Sequence, residues 1–277
     1  MISKFKILLI LTSFLFIWSC GDKTSKTSKI TEVDLERQMS NAYKEGYLEL
    51  ERGDAILAAK KFNEAELLFP QSPWAAESVI MSAYAYYSQS YYNDAIYELE
   101  RYLTSYPKHK DRAYAQFLLG MSFYEQIVDE KKDLKSILDS KRQFELIIKE
   151  YPTSEFATDS KFKIDLIKDV MASKEMYLGR HYIKKEKWIP AINRFKNILK
   201  NYETTIYSEE AIHRLVEIYY RIGLDDEAKK YASLLGYNYL SGEWYKKTYK
   251  IFNKSYGNIK IKKEKKGIKE KFKKLFE

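Results

Sequence analysis

Few residues in this chain have side chains suited to covalent or metal chemistry. There is one cysteine, Cys20, and the three histidines, His109, His181 and His213, are far apart in the sequence. No His-x-x-x-His pair or Cys/His set has metal-ligand spacing, and no glycine-rich phosphate loop, nucleophile elbow or paired acid motif occurs. We therefore expect the histidines to be structural or exposed, and we predict no catalytic residue, no metal site and no cofactor.

Cys20 stands at the end of an apolar segment near the N-terminus. Lys4 and Lys6 precede the apolar stretch 7–17, which is shorter than the ~20 residues that a membrane-spanning helix needs. The run Ile17-Trp18-Ser19-Cys20 resembles the bacterial lipobox, so we predict a signal peptide over residues 1–19 and a lipid such as palmitate on Cys20. An incidental thiol in an ordinary signal segment remains the alternative. With no second cysteine, an intramolecular disulfide is excluded.

The residues after Cys20 bear on which membrane holds the chain. By resemblance to the proteobacterial sorting rule, Gly21 rather than Asp after the lipidated cysteine favours the outer membrane. Residues 20–32 are mostly polar and are interpreted as the lipidated N-terminus and a tether. The prediction is a lipid-anchored protein on the periplasmic side of the outer membrane.

Repeats organise the next part of the chain, residues 33–245. Five small residues recur at gaps of 37, 45, 51 and 37 residues, each followed four positions later by a packing side chain: Ala58, Ala95, Ser140, Ala191 and Ala228. Leu178-Gly179-x-x-Tyr182 ahead of Ala191-x-x-x-Phe195 is typical of a tetratricopeptide (TPR) helix pair, in which the small residues let two helices approach. The fold class predicted is all-α, a TPR-like superhelical solenoid of about five helix-turn-helix repeats.

Two features explain why the middle gaps exceed the usual repeat length of about 34 residues. Residues 128–138 are charged and are predicted to protrude as a loop between the two helices of the third repeat. An unbroken helical pattern over 157–185 accounts for the longer gap that follows.

A basic segment occupies residues 246–277. It holds 13 Lys and 3 Glu, so the net charge of +9 arises there rather than in the repeats. Ile268, Phe272, Leu275 and Phe276 have a spacing that fits an amphipathic helix lying on a membrane, although a solvated basic tail fits as well. No aromatic residue interrupts the densest lysine run, and we predict no nucleic acid partner.

The stretch from Tyr151 to Arg194 contains residues that are more specific to one protein family than the repeat pattern is. Its residues Tyr151-Pro152-x-Ser154-x-Phe156-x-x-Asp159, Lys168-Asp169 and Trp188-x-x-x-x-Asn193-Arg194 resemble the BamD family, lipoproteins of the machine that assembles outer-membrane β-barrels. The lipobox, the repeat number and the extended third repeat agree with this resemblance.

The resemblance implies a function without catalysis. The N-terminal repeats would receive unfolded outer-membrane β-barrel proteins, and the C-terminal repeats would dock on the POTRA domain of the barrel subunit BamA. It further implies that Asn193 and Arg194 contact BamA, where an arginine fork can pair with a carboxylate. The alternative function is a lipid-anchored periplasmic TPR adaptor for cell-wall or envelope division enzymes.

A tyrosine-rich run gives candidates for the surface that receives the substrate. The candidates are Tyr84, Tyr87 and Tyr91, of which the first two lie near the end of the first helix of the second repeat. Tyr87 and Tyr91 are four residues apart and are expected to share a helix face. The same spacing fits ordinary packing between repeats, with each hydroxyl at the rim. Both interpretations remain open at this point.

Overall fold

The computed structural model describes residues 32–127 and 134–253, and this part of the chain contains helices without strands. The helices are α1 (Glu32–Glu51), α2 (Ala55–Leu68), α3 (Pro73–Ser88), α4 (Tyr92–Ser105), α5 (Arg112–Tyr124), α6 (Lys135–Glu150), α7 (Glu155–Lys184), α8 (Trp188–Asn201), α9 (Ser208–Arg221), α10 (Asp225–Asn238) and α11 (Glu243–Phe252). The predicted all-α class is confirmed. The 30-residue helix α7 confirms the unbroken pattern before Lys185.

The helices pack as five consecutive hairpins, from α1–α2 to α9–α10, and α11 closes the array against α9 and α10. First helices of neighbouring hairpins also touch: α3 contacts α5, α5 contacts α7, and α9 contacts α11. Within the described ranges, no two second helices bring their backbones as close together. The first helices therefore line the inner side of the curved array, as expected for a TPR-like solenoid.

The small residues that defined the repeats are the closest-packed points of the hairpins. Each is fully buried in a second helix, and the set is Ala58, Ala95, Ser140, Ala191 and Ala228. Across from them, a Cβ added at Gly179 would lie 2.5 Å from a ring carbon of Phe195, and one at Gly120 would lie 2.8 Å from Phe144. Because real Cβ atoms do not approach so closely, glycine is required where these rings cross the neighbouring helix.

An aromatic residue ends each second helix. Phe69, Tyr106 and Tyr151 are the C-caps of α2, α4 and α6, and proline follows each of them. Proline cannot continue the helix, which fixes the turn into the next hairpin. In the fourth hairpin Tyr202 caps α8 without a proline, and its backbone N–H donates to the Ile198 carbonyl at 2.8 Å.

Two boundaries differ from the sequence interpretation. The charged insertion was predicted to be a loop through Leu138, but α6 already begins at Lys135, since Ile137 is buried against the core around Phe144. The predicted end of the solenoid at 245 falls inside α11, whose Ile251 and Phe252 pack on the last hairpins. Cys20, its signal peptide and tether, and the tail beyond Asn253 lie outside the described residues.

Candidate docking and binding surfaces

Arg194 lies on α8 and is 40% exposed, and its neighbour Asn193 is exposed. The Arg194 guanidinium already has a partner in its own chain, because Nη1 donates to the Glu175 carboxylate on α7 at 3.1 and 3.3 Å. Glu175 is only 15% exposed, so this ion pair ties α8 to α7. Solvent reaches Arg194, but its charge is largely compensated.

The tyrosines of the second hairpin do not form the single face that their spacing predicted. Helix α3 ends at Ser88, the chain turns at Ser90 with a φ of 65°, and Tyr91 is the N-cap of α4. Tyr91 meets the edge of Tyr86 at a centroid distance of 6.4 Å, whereas Tyr87 lies 5.8 Å from Tyr92. The expectation that Tyr87 and Tyr91 share a helix face is therefore wrong, because the helix ends between them.

Tyr84 and Tyr87 instead adjoin a tyrosine of the next first helix. Burial raises the pKa of the Tyr114 phenol on α5 to about 12, and the nearby hydroxyls of Tyr84 and Tyr87 act in the same direction. Tyr84 is 39% exposed, and α3 and α5 lie on the inner side of the array. We call Tyr84, Tyr87 and Tyr114 the tyrosine surface; it combines aromatic area with hydroxyl groups.

A cavity of about 590 Å³ lies near the other end of the array. It is formed where the turn between α7 and α8 meets α9 and α11. Its lining combines aliphatic, aromatic and charged side chains: Ile183, Trp188, Arg214, Glu217, Ile218, Tyr220, Arg221 and Ile251. We call this the C-terminal cavity.

Most charges around the C-terminal cavity are paired. Arg214 donates from Nε to Glu210 at 3.1 Å and from Nη1 to Glu217 at 2.6 Å. Burial alone would raise the pKa of the Glu217 carboxyl, but hydrogen bonds from His213 and Arg214 outweigh it and lower that pKa to about 2. Arg221 differs: its guanidinium stands 5.4 Å from the centre of the Trp188 ring and has no ion pair within the described part of the chain.

The sequence did not predict the Trp188–Arg221 contact, although Trp188 was one of the residues that resembled the BamD family. Trp188 begins a second helix and Arg221 ends the first helix of the following hairpin. In stacked hairpins those two helix ends are neighbours, so the stacking of the repeats predicts that Trp188 and Arg221 lie close together. Recognising it requires the exact helix ends, which periodicity fixes only to within a few residues.

The histidines have three different surroundings. His109 Nδ1 lies 2.8 Å from the Tyr102 hydroxyl, buried His213 Nδ1 lies 2.7 Å from the Thr248 hydroxyl, and His181 is exposed. His109 also forms, with Glu77 and Asp111, a group whose potential ligand atoms lie within 4.8 Å of one another, which the sequence spacing did not reveal. The Lys110 ammonium is 3.2 Å from Glu77 and already supplies a cation there.

These features define a class of protein: a helical-repeat scaffold with exposed side chains and a cavity on its surface. Among the residues described, no helix combines the length and apolarity needed to cross a membrane. A family model described as "YfiO: Outer membrane lipoprotein" matches residues 35–234. The chain belongs to this YfiO family of outer membrane lipoproteins.

Two curated relatives from other bacteria cover most of this chain. The outer membrane protein assembly factor BamD of Rickettsia prowazekii is 38% identical, over 86% of this chain and 93% of its own length. BamD of Caulobacter vibrioides is 36% identical, over 84% of this chain and 76% of its own length. The solved TPR2AB domain–pHSP90 complex of yeast Sti1 is a weaker likeness, with a TM-score of 0.42 and 14% identity over 80% of this chain and 86% of that one. No conclusion rests on that structure.

Proposed function

We propose that this protein is an outer-membrane protein assembly factor, a component of the β-barrel assembly machine that acts by binding rather than by catalysis. The observation that carries the proposal is the family match over residues 35–234, together with relatives that are named as outer membrane protein assembly factor BamD. The helical-repeat scaffold supports it, because such arrays present extended surfaces to peptides and partner domains.

The N-terminal hairpins receive unfolded β-barrel proteins. The tyrosine surface supports this assignment, since it lies on the inner side of the array and exposes part of Tyr84 to solvent. A transmembrane β-strand alternates apolar and polar residues, and aromatic rings with rim hydroxyls suit both kinds of side chain.

The C-terminal hairpins dock on the periplasmic POTRA domain of BamA. Arg194 and Asn193 are accessible there, and Arg194 can exchange its bond with Glu175 for a carboxylate of the partner. Cys20 carries the lipid that holds the protein at the periplasmic side of the outer membrane. Loss of acyl labelling in Cys20→Ala tests the anchor, and an unlabelled wild-type protein would exclude it.

Co-purification from solubilised envelopes distinguishes this function from the alternative of a cell-wall or division adaptor. We expect BamA as the main partner in mass spectrometry of the purified material. A peptidoglycan hydrolase or division protein as the main partner, with BamA at background level, would replace the assembly function by the adaptor function.

A further inference from the structure

Arg221 is the one guanidinium in the lining of the C-terminal cavity that lacks an ion pair within the described residues. The other arginine of the lining, Arg214, is held by Glu210 and Glu217. Arg221 is exposed and lies against the Trp188 ring, a contact that restricts the guanidinium without using its hydrogen-bond donors. Such a guanidinium is preorganised to donate hydrogen bonds to a carboxylate from outside the chain.

The walls of the cavity suit an apolar neighbour of that carboxylate. Of the three isoleucines in the lining, Ile218 is buried, while Ile183 and Ile251 are half-buried. About 590 Å³ falls in the range of ordinary ligand pockets and accommodates a few side chains rather than a domain. The cavity therefore fits an acidic residue together with an adjacent aliphatic or aromatic residue.

The charge distribution favours an acidic ligand at this end of the array. Residues 180–253 contain 14 Lys and Arg against 9 Asp and Glu, whereas residues 32–110 contain 8 against 13. An acidic surface of a partner is attracted to the C-terminal hairpins and repelled by the N-terminal ones. This difference in charge directs an acidic partner to the C-terminal hairpins and away from the N-terminal hairpins.

We propose that the C-terminal cavity receives an Asp or Glu side chain and an adjoining apolar side chain of the protein that docks on the C-terminal hairpins, with Arg221 as the partner of the carboxylate. This inference rests on the proposed docking to BamA. It names a contact separate from Arg194, which is not part of the cavity lining.

The first test measures binding of the full-length protein, purified in mild detergent, to the soluble POTRA domains of the cognate BamA by titration calorimetry. We expect Arg221→Gln to weaken binding about tenfold or more, and Arg221→Lys to recover only part of it, because lysine lacks the planar fork. The matched control is Lys229→Gln, which removes one exposed charge on α10 outside the cavity and is expected to change the affinity by less than about twofold. Circular dichroism verifies that each variant is folded.

A second test probes the cavity without BamA. The dipeptide N-acetyl-Glu-Phe-amide is titrated against the ¹⁵N-labelled protein, and the indole signal of Trp188 is assigned with Trp188→Phe. We expect that signal to shift in the wild-type protein and not in Arg221→Gln.

The two tests separate the two claims. If the wild-type protein does not bind the POTRA domains, docking on BamA is refuted. If the dipeptide still shifts the Trp188 signal of that protein, the cavity remains a carboxylate-binding site. POTRA binding that Arg221→Gln leaves unchanged would overturn the cavity as a docking contact. A Trp188 signal that does not move in the wild-type protein would overturn it as a carboxylate site.

Discussion

Arg194 and Arg221 show how differently two surface arginines can be placed. Arg194 forms an ion pair with Glu175 of its own chain. Arg221 instead lies over the Trp188 ring, and its guanidinium bonds to no carboxylate within the described residues. A role of Arg194 in docking therefore requires that the partner compete with Glu175. This competition makes the role of Arg194 testable.

Replacing each partner of this pair separates docking from packing. We expect Arg194→Gln to weaken binding to the BamA POTRA domains, since the donor fork is lost. Glu175→Gln should leave binding unchanged or strengthen it, because it frees the Arg194 guanidinium. Both variants should lose similar, small amounts of unfolding free energy, about 1 kcal/mol, since the arginine is 40% exposed. Equal binding losses in both variants would assign Arg194 a structural role.

Glu217 gives the protein a defined response to acid. Its pKa of about 2 lies below the ordinary value of 4.5, so the ionised carboxylate stabilises the fold at neutral pH. That contribution is complete above about pH 4.5 and is lost as the pH falls toward about 2. Because the side chain is 38% exposed, the screened contribution is about 1–2 kcal/mol.

Urea unfolding at about pH 7 and about pH 3 measures this contribution. The wild-type protein should lose more unfolding free energy on acidification than Glu217→Gln does, because the variant has no carboxylate to protonate. An identical loss in the two proteins would show that the Glu217 hydrogen bonds do not stabilise the native state.

At the level of helices, the sequence predicted the positions where two helices pack closely. The five small residues and Gly179 were recognised because a crossing of two helices tolerates no larger side chain, and all five are buried. Features decided by helix ends could not be predicted so well. Tyr91 was expected to share a helix face with Tyr87, although the helix of Tyr87 stops at Ser88, and Lys135 was assigned to a loop. Local spacing does not contain the tertiary contacts that start or stop a helix.

Side-chain pairs between elements were missed for a related reason. Arg194 lies 19 positions from Glu175, and Arg221 lies 33 from Trp188. Neither separation is a helical spacing within one element, and the contacts exist only once hairpins are stacked. The tyrosine surface joins Tyr84 and Tyr87, which the sequence offered as binding candidates, to Tyr114 of the neighbouring hairpin, which it did not.

The first two hairpins are joined by a buried ionic cluster between α2 and α4. Arg101 donates to Glu66 at 2.8 Å and to Glu98 at 2.7 Å, and both carboxylates are less than one tenth exposed. Arg101→Gln leaves two buried acids without their cation. The expected loss of unfolding free energy is about 2–4 kcal/mol, slightly below that of a fully buried pair because Arg101 is 29% exposed.

Arg142→Gln is the matched control for this cluster. Arg142 on α6 has a 2.8 Å ion pair with Asp139 but is 65% exposed, so its removal should cost less than about 1 kcal/mol. Chemical denaturation followed by circular dichroism compares the two variants. Similar losses would mean that burial of Glu66 and Glu98 adds nothing to the coupling of the hairpins.

The inner and outer sides of the array also give contrasting tyrosines. Tyr84 on first helix α3 is 39% exposed, and Tyr97 on second helix α4 is 67% exposed. We expect Tyr84→Ala to reduce photo-crosslinking of an unfolded β-barrel protein at least about threefold, since the alanine removes aromatic area from the tyrosine surface. Tyr97→Ala should have no such effect. Equal crosslinking in the two variants would remove the tyrosine surface as the receiving site.

The chain as a whole separates two kinds of surface along one array. The acidic N-terminal hairpins carry the tyrosine surface, and the basic C-terminal hairpins carry Arg194 and the C-terminal cavity. An array that holds a substrate at one end and the barrel subunit at the other would bring an unfolded chain to the place where it is inserted. Coupling the two ends is therefore the central task that we assign to this protein.

Depletion of the protein in its native cell shows whether it performs this task, with folded outer-membrane β-barrel proteins measured by their heat-modifiable mobility in gels. We expect that the folded fraction falls as the protein disappears, that unfolded barrel proteins accumulate, and that restored expression reverses both changes. Unchanged folded barrel proteins after depletion, accompanied by mislocalised cell-wall hydrolases, would contradict this expectation.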